Sequence, residues 1–262
     1  MKIDDFKLKL EKSLLDNLAV LQDKNKDWVV KGFIDIYKNV YTISIDTKVV
    51  SKIIELMLFP IIAKFAKDNK LKILLAEHQN HYPDITFIDE NDGAAFAVDV
   101  KSTYRVNENK VNGFTLGAFT GYFRNRAGTK NITLPYDKYK SHFVLGVIYS
   151  HQVDKIDERE IYALNYLNEI ISVIQEKYKI ANSRPGSGNT KNIGSITDIT
   201  KLKNGEGPFT KLGIDIFDDY WKFYQTKDMT DDGIVPYSNL KEYAEYKRKS
   251  PDYQLVSSVE EE

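Results

Sequence analysis

The sequence predicts a mixed α/β (α+β) fold, because stretches with helical spacing alternate with short runs that have the composition of buried strands. Apolar residues recur every three or four positions over residues 6–21 and 46–65, as they do in amphipathic helices. Residues 73–75, 85–88 and 94–101 are apolar runs separated by turn-forming residues. At 262 residues the chain has ample length to bury a core, and we expect one domain with sub-lobes.

The N-terminal part of the chain predicts a helix, a hairpin and a second, longer helix. Residues 6–21 are expected to form the first helix, and residues 28–45 alternate as the two strands of a hairpin do. Asp46 or Thr47 is suited to be the N-cap of the second helix. Because proline lacks a backbone N–H, Pro60 is expected to interrupt and kink that helix.

Three consecutive strands are predicted in the middle of the chain. Residues 89–93, D-E-N-D-G, are rich in turn formers and should join the second and third of these strands as a hairpin. Residues 143–149 form a short apolar, β-branched run that indicates a further buried strand.

The C-terminal part predicts helices around one unusual loop. Tyr166, Ile170 and Ile174 lie at helical spacing within residues 161–180. Residues 184–195 are rich in Gly, Ser and Asn and predict a loop. The remaining predicted elements are an aromatic-rich helix at 214–224, a basic helix at 239–249 and a frayed tail at 251–262.

Composition excludes several classes of function. The chain has no Cys, which excludes disulfides, thiolate catalysis and Cys-ligated zinc, and its four His are too dispersed to predict a zinc site. No apolar run approaches the length of about 18 residues needed to span a bilayer, and residues 1–21 do not resemble a secretion signal. We therefore expect a cytoplasmic protein without membrane association. A net charge of −1 gives no overall attraction to nucleic acid, so DNA binding would require basic residues gathered on one surface.

Asp84, Asp99 and Lys101 are the candidate catalytic residues. Asp84 lies in a turn, and the strand that follows ends in Asp99, Val100 and Lys101. Because side chains alternate along a strand, Asp99 and Lys101 project to the same face about 7 Å apart. Two carboxylates suit Mg²⁺, and an amine beside them suits a phosphate or an attacking water. In a chain that is 29% charged, the same three residues also fit a solvated strand edge.

Four separated segments decide between these alternatives. They read D-T-K-V-V-S-K-I-I-E-L-M-L-F-P at 46–60, Q-N-H-Y-P-D at 79–84, A-V-D-V-K-S-T at 97–103 and G-S-G-N-T-K-N-I-G-S at 186–195. In content, order and spacing they resemble the EcoRV-like type II restriction endonucleases of the PD-(D/E)xK nuclease superfamily. The resemblance runs from about residue 32 to residue 249, and it implies a restriction-endonuclease-like core with a mixed central β-sheet flanked by helices.

The resemblance assigns roles to individual residues. Asp84, Asp99 and Lys101 match the family's catalytic triplet, with Asp84 and Asp99 as Mg²⁺ ligands. Glu55 matches a helical carboxylate near the metal, although a polar position on an amphipathic helix explains it equally well. The residues matching the loop that reads base edges are Gly186, Ser187, Gly188, Asn189 and Thr190. The residues matching contacts to the DNA backbone or minor groove are Thr47, Lys48, His78, Gln79, Asn80, Thr103, Lys191 and Asn192.

Two of these positions depart from the family pattern. His78 stands where the family carries Gln, and Lys191 replaces a Thr directly after the reading loop. Neither change affects the metal site, but both lie among the residues expected to contact DNA. The resemblance therefore predicts the catalytic chemistry more firmly than the DNA sequence that is recognised. Further candidate phosphate contacts, each of which also fits a solvated surface charge, are Arg124, Arg126, Lys130 and the 247–249 cluster.

The implied activity is a Mg²⁺-dependent double-strand cut in a palindromic site, expected to be GATATC with blunt ends and 5′-phosphates. The resemblance further implies a homodimer on double-stranded DNA, a dimerisation sub-lobe of about residues 1–45 plus 150–180, and a companion methyltransferase in a bacterial cytoplasm. No nucleotide cofactor is expected. Two alternatives stay open: a structure-selective or repair nuclease on the same core, which would not need the reading loop, and a DNA-binding module without catalysis.

Overall fold

A mixed β-sheet forms the centre of the computed structural model, which describes residues 1–42, 46–78, 80–151, 167–186 and 191–249. The described strands are β1 (Gly32–Ile34), β2 (Val40–Thr42), β3 (Leu71–Leu75), β4 (Ile85–Asp89), β5 (Ala95–Asn107), β6 (Lys110–Val111), β7 (Thr115–Ala118), β8 (Tyr139–His151), β9 (Leu167–Glu176), β10 (Ala181–Pro185) and β11 (Asn192–Ser195). The described α-helices are α1 (Ile3–Asp16), α2 (Thr47–Asp68), α3 (Lys177–Ile180), α4 (Ile199–Asn204), α5 (Ile214–Phe223), α6 (Lys227–Asp231) and α7 (Leu240–Arg248). Short 3₁₀ helices lie at Leu18–Val20, Gly121–Phe123 and Tyr136–Lys138.

The order of strands in the central sheet is β3-β4-β5-β8-β9, with β6 paired to β5. β5 and β8 are parallel, whereas the other neighbouring pairs are antiparallel. A smaller antiparallel sheet has the order β10-β11-β7, and β1 and β2 form a separate hairpin. The predicted mixed α/β fold is confirmed.

Two apolar clusters cover the opposite faces of the central sheet. On one face α1 and α2 pack against alternate residues of β4, β5 and β8, and Phe6 of α1 stacks on Phe96 of β5 with ring centroids 4.4 Å apart. On the other face the 3₁₀ segments at 121–123 and 136–138, α4, α5 and α7 cover the intervening residues. Since Ala97 belongs to the second cluster, Asp99 and Lys101 project to that second face as well.

The first half of the chain follows the predicted order of elements. α1 begins three residues earlier than predicted and is followed by the 3₁₀ turn, and the hairpin around residues 32–42 is confirmed. Asp46 is the N-cap of α2, accepting hydrogen bonds from the backbone N–H groups of Lys48 and Val49. The prediction that Pro60 interrupts this helix is wrong: α2 continues through it, because buried side chains before and after it pack on the sheet.

Two predictions for the second half need correction. The helical spacing of Ile170 and Ile174 belongs to a strand, β9, because residues four apart share a face in a strand as well as in a helix. The predicted loop at 184–195 is flanked by strands, since β10 ends at Pro185 and β11 begins at Asn192. The helices predicted at 214–224 and 239–249 are confirmed as α5 and α7, while the predicted frayed tail at 251–262 lies outside the described residues.

None of the described helices combines the length and the apolar character needed to cross a membrane.

Candidate active site

The structure brings Asp84, Asp99 and Lys101 together on one face of the central sheet. The Nζ atom of Lys101 lies 2.8 Å from Asp99 Oδ2 and 3.3 Å from Asp84 Oδ2. The Asp99 side chain is 7% exposed, whereas Asp84 and Lys101 keep 32% and 27% of their side-chain surface in solvent. One ammonium group therefore bridges two carboxylates at the edge of the core.

The backbone of β5 fixes the position of both carboxylates. Asp84 directly precedes β4, and the N–H of Val100 in β5 donates a hydrogen bond of 2.7 Å to Asp84 Oδ2. Asp99 is held in register by the parallel pairing of β5 with β8, opposite Val144. The site is thus built where the turn before β4 meets the middle of β5.

Crowding makes Asp84 difficult to ionise. Burial, then the charge of Asp99 and a hydrogen bond to it, raise the pKa of Asp84 to about 7, although Lys101 and the Val100 N–H act in the opposite direction. Burial by itself would lower the pKa of Lys101, but the charges of Asp99 and Asp84 outweigh it and raise that pKa. Lys101 is consequently cationic at neutral pH, while the two carboxylates repel one another.

A layer of aromatic and polar side chains supports Asp84 from the protein interior. Tyr82, two residues before Asp84, is 5% exposed and its hydroxyl lies 2.9 Å from His142 Nδ1. The Tyr82 ring stacks on Tyr122 at 5.0 Å, and His142 stacks on Tyr136 at 3.9 Å. Only Tyr82 lies in a segment that the sequence singled out; Tyr122, Tyr136 and His142 are distant along the chain and no sequence pattern connects them to the site.

The donor set fits a hard divalent cation. Two carboxylates that disfavour each other's charge would gain stability from a bound cation, and Mg²⁺ prefers such oxygen ligands. Among the described residues, no cluster of three or more His, Cys, Asp or Glu side chains forms a metal site, so the structure does not bring Glu55 into this group. The Glu55 carboxylate accepts a hydrogen bond of 2.7 Å from Lys52 on α2, and its role as a third ligand stays a prediction.

Comparison with known proteins identifies the family. The family model described as "Restriction endonuclease EcoRV" matches residues 24–248. The type II restriction enzyme EcoRV of Escherichia coli is 37% identical over 238 residues, which cover 87% of this chain and 94% of that protein. The chain belongs to the EcoRV restriction endonuclease family. Its class is therefore that of a site-specific deoxyribonuclease, as the resemblance of the four segments predicted.

A solved structure, the NlaIV restriction endonuclease, aligns with 94% of this chain and 89% of its own length at a TM-score of 0.47 and 13% identity.

The residues predicted to approach DNA differ in exposure. Thr47 and Lys48, in the first turn of α2, are exposed, and so are His78 and Asn80 in the turn before Asp84. Thr103 is 4% exposed, so its side chain would have to become accessible before it contacted a DNA backbone. Gln79 lies outside the described residues.

The ends of the predicted reading loop are held by a β-hairpin of this EcoRV-family protein. Gly186 N donates a hydrogen bond of 2.9 Å to Asn192 O, and Phe119 N donates one of 2.9 Å to Lys191 O. The backbones of Gly186 and Gly194 approach so closely that a Cβ on Gly194 would lie 3.0 Å from Gly186 N. The loop residues between them, Ser187, Gly188, Asn189 and Thr190, lie outside the described residues.

Three of the basic residues considered as phosphate contacts are engaged within the protein. Arg124 donates hydrogen bonds to the carbonyl oxygens of Phe119 and Tyr224. Arg126 forms an ion pair with Asp218 and lies 4.9 Å from the centroid of the Tyr136 ring. The third, Lys247, is 8% exposed and lies 2.8 Å from Asp219. These internal contacts show that the three cations are not freely solvated surface charges, while contact with phosphate stays a prediction.

The raised pKa of Asp84 predicts that Asp84→Asn stabilises the metal-free protein at alkaline pH. The folded-state pKa of about 7 lies above the usual 3.8, so the wild type loses stability as the pH rises from about 4 through about 7. The amide cannot ionise, and the variant avoids that loss. In EDTA, the melting temperature of Asp84→Asn should exceed that of the wild type at pH 8 and approach it at pH 5.

Asp68→Asn is the matched control, because Asp68 lies on the exposed side of α2, with 53% of its side chain in solvent. It should show no such pH-dependent gain. Equal melting temperatures of Asp84→Asn and the wild type at pH 8 would contradict the description of the site.

Proposed function

We propose that this chain is a Mg²⁺-dependent type II restriction endonuclease that hydrolyses one phosphodiester in each strand of a palindromic DNA site, leaving 5′-phosphates and 3′-hydroxyls. The observation that carries the proposal is the convergence of Asp84, Asp99 and Lys101 on one face of the sheet in a member of the EcoRV family. Neither a solvated strand edge nor a binding module without catalysis requires two carboxylates to be crowded around one ammonium.

Each residue of the triplet has a distinct role in this proposal. Asp84 and Asp99 would hold the cation through their carboxylate oxygens. When bound, Mg²⁺ would lower the pKa of a nearby water and would neutralise charge on the leaving oxygen. Lys101, kept cationic by Asp99 and Asp84, presents its ammonium to the phosphate, where it stabilises the developing negative charge or orients the attacking water.

Replacing Asp99 tests the enzyme class. Asp99→Ala removes a cation ligand and the nearest partner of Lys101, so Mg²⁺-dependent cleavage of plasmid DNA should fall by about 10²–10³-fold or more. Circular dichroism and the melting temperature should show a folded protein. The measurement is the rate of plasmid linearisation by the purified variant.

Asp68→Ala removes an exposed carboxylate from α2 and should cleave at the wild-type rate. Wild-type activity of a folded Asp99→Ala variant would eliminate the proposed centre.

The reading loop supports sequence-specific cleavage. A hydrogen bond between Gly186 and Asn192 joins the described residues on either side of this segment. Asn pairs bidentately with adenine in the major groove, and glycine permits close backbone approach to the bases. By family similarity we propose GATATC as the site with a blunt cut at its centre, where the TA step is easily deformed.

Sequencing the ends of digested plasmid DNA tests this specificity. We expect blunt ends at GATATC and at no other sequence, since each lost base contact costs about 1–3 kcal/mol. If the enzyme recognises a different DNA sequence, His78 and Lys191 would account for it, because these two positions differ from the family pattern. Blunt or staggered ends elsewhere would reject GATATC and keep the enzyme class, whereas preferential cutting of branched DNA would favour a structure-selective nuclease.

The same digest tests the proposed biological partner. A companion methyltransferase acting on the mapped site in a bacterial cytoplasm would protect host DNA, so genomic DNA of the source organism should resist cleavage there. Cleavage of that DNA at unmodified sites would contradict the pairing.

We propose a homodimer because the two-fold symmetry of a dimer matches the two-fold symmetry of a palindromic DNA site. The β1–β2 hairpin, in the predicted dimerisation sub-lobe, exposes 69% of Ile34, 88% of Ile36 and 79% of Tyr37. Apolar side chains clustered on one exposed hairpin are typical of a surface that is covered in an assembly.

Sedimentation analysis of an Ile36→Asp, Tyr37→Asp double variant tests the dimer. The wild type should sediment as a dimer and the variant as a monomer, because burying two new charges in the interface is unfavourable. Ile234→Asp, which changes an apolar side chain exposed to 53% elsewhere, should remain dimeric. A monomeric wild type at the concentrations used for cleavage, or a dimeric double variant, would refute the arrangement.

A further inference from the structure

Lys177 is a buried cation that the proposed chemistry does not use. It begins α3, directly after β9, and only 2% of its surface is exposed. Within the described part of the chain, its Nζ atom makes no hydrogen bond. Lysine is almost never fully buried unless it is paired, so this position needs a physical explanation.

Aromatic rings surround the ammonium of Lys177. Its Nζ lies 5.0 Å from the centroid of the Tyr82 ring and 5.7 Å from that of Phe123. A cation over an aromatic face is attracted by the ring quadrupole, and the attraction is larger where water is excluded. Tyr82 lies two residues before Asp84, so Lys177 contacts the segment that carries the first carboxylate of the site.

The charge of Lys177 also acts on the active site. Burial lowers the pKa of Lys177 to about 8, against the raising effects of Asp99 and Asp218. The side chain therefore remains mainly cationic at neutral pH. Asp99 lies in direct contact with Lys101, at 2.8 Å, and its charge is among those that favour the cationic form of the buried Lys177 by raising its pKa.

Stability does not explain a lysine at this position. Burying a charge without a hydrogen-bonded partner costs free energy, and apolar replacements of buried ionic groups are often neutral or stabilising. A methionine has a similar unbranched length and makes favourable sulfur contacts with aromatic rings. Tyr82 and Phe123 would also contact a methionine, so packing alone does not require a positive charge at this position.

We propose that Lys177 is a positioning residue of the nuclease site, where its ammonium fixes the Tyr82 segment that carries Asp84 and attracts Asp99 from the protein interior. The proposal rests on the proposed function, because it concerns the same site. Displacements of about 1 Å in a catalytic group cost up to about a hundredfold in rate. Losing the ammonium should therefore slow the chemical step and leave folding and DNA binding intact.

Lys177→Met tests the proposal in the full-length protein. The single-turnover cleavage rate, with saturating Mg²⁺ and a duplex carrying the mapped site, should fall by about tenfold to a hundredfold. The melting temperature in EDTA should equal or exceed that of the wild type. The dissociation constant for the same duplex, measured with Ca²⁺ in place of Mg²⁺, should stay within about twofold, because Lys177 is only 2% exposed and its ammonium is not on the protein surface.

Lys179→Met is the matched control, since Lys179 belongs to the same short helix but forms an ion pair of 2.6 Å with Glu176 at a partly exposed position. It should cleave at the wild-type rate.

Three results would overturn the proposal: an unchanged cleavage rate in Lys177→Met, a melting temperature that falls together with activity, or failure of the variant to fold. Each of the last two would show that the lysine is structural. A wild type that cleaves no DNA would instead reject the proposed function, so the two failures are distinguishable.

Discussion

The repulsion between the Asp84 and Asp99 carboxylates is the interaction on which the rest of the site depends. Both side chains lie at the edge of the core, and the pKa of Asp84 is raised to about 7 because burial and Asp99 disfavour its charge. Lys101 relieves this repulsion in part, from 2.8 Å and 3.3 Å. A bound divalent cation would relieve the repulsion that remains. In the metal-free protein this repulsion lowers the stability of the fold, and cation binding would restore it.

The two faces of the central sheet have different roles, one in the apolar core and the other in the candidate active site. α1 and α2 cover one face with an almost purely apolar cluster, in which Phe6 is surrounded by aromatic rings. The opposite face carries Asp99, Lys101 and a mixed layer that includes Tyr82 and His142. β5 connects the two faces, because its alternate side chains serve the core on one side and the site on the other.

Sequence patterns predicted much of this fold and the core of the site. The strands that carry Asp99 and Lys101 were predictable because a turn-rich segment and an apolar run are local signals. The helical interpretation of Ile170 and Ile174 failed because a spacing of four fits both a helix and a strand, and only pairing with β8 decides between them. The contacts of Arg126 and Lys177 were not predictable, since their partners Asp218 and Tyr82 are distant in the chain and meet only after folding.

A crystal structure of the wild-type protein with Mn²⁺ and a duplex containing the cleaved sequence would test the central claim most directly. The account predicts an anomalous peak between the Asp84 and Asp99 carboxylates, with Lys101 Nζ turned toward the phosphate at the cut position. An ion bound elsewhere, with Asp84 and Asp99 still joined only through Lys101, would contradict it.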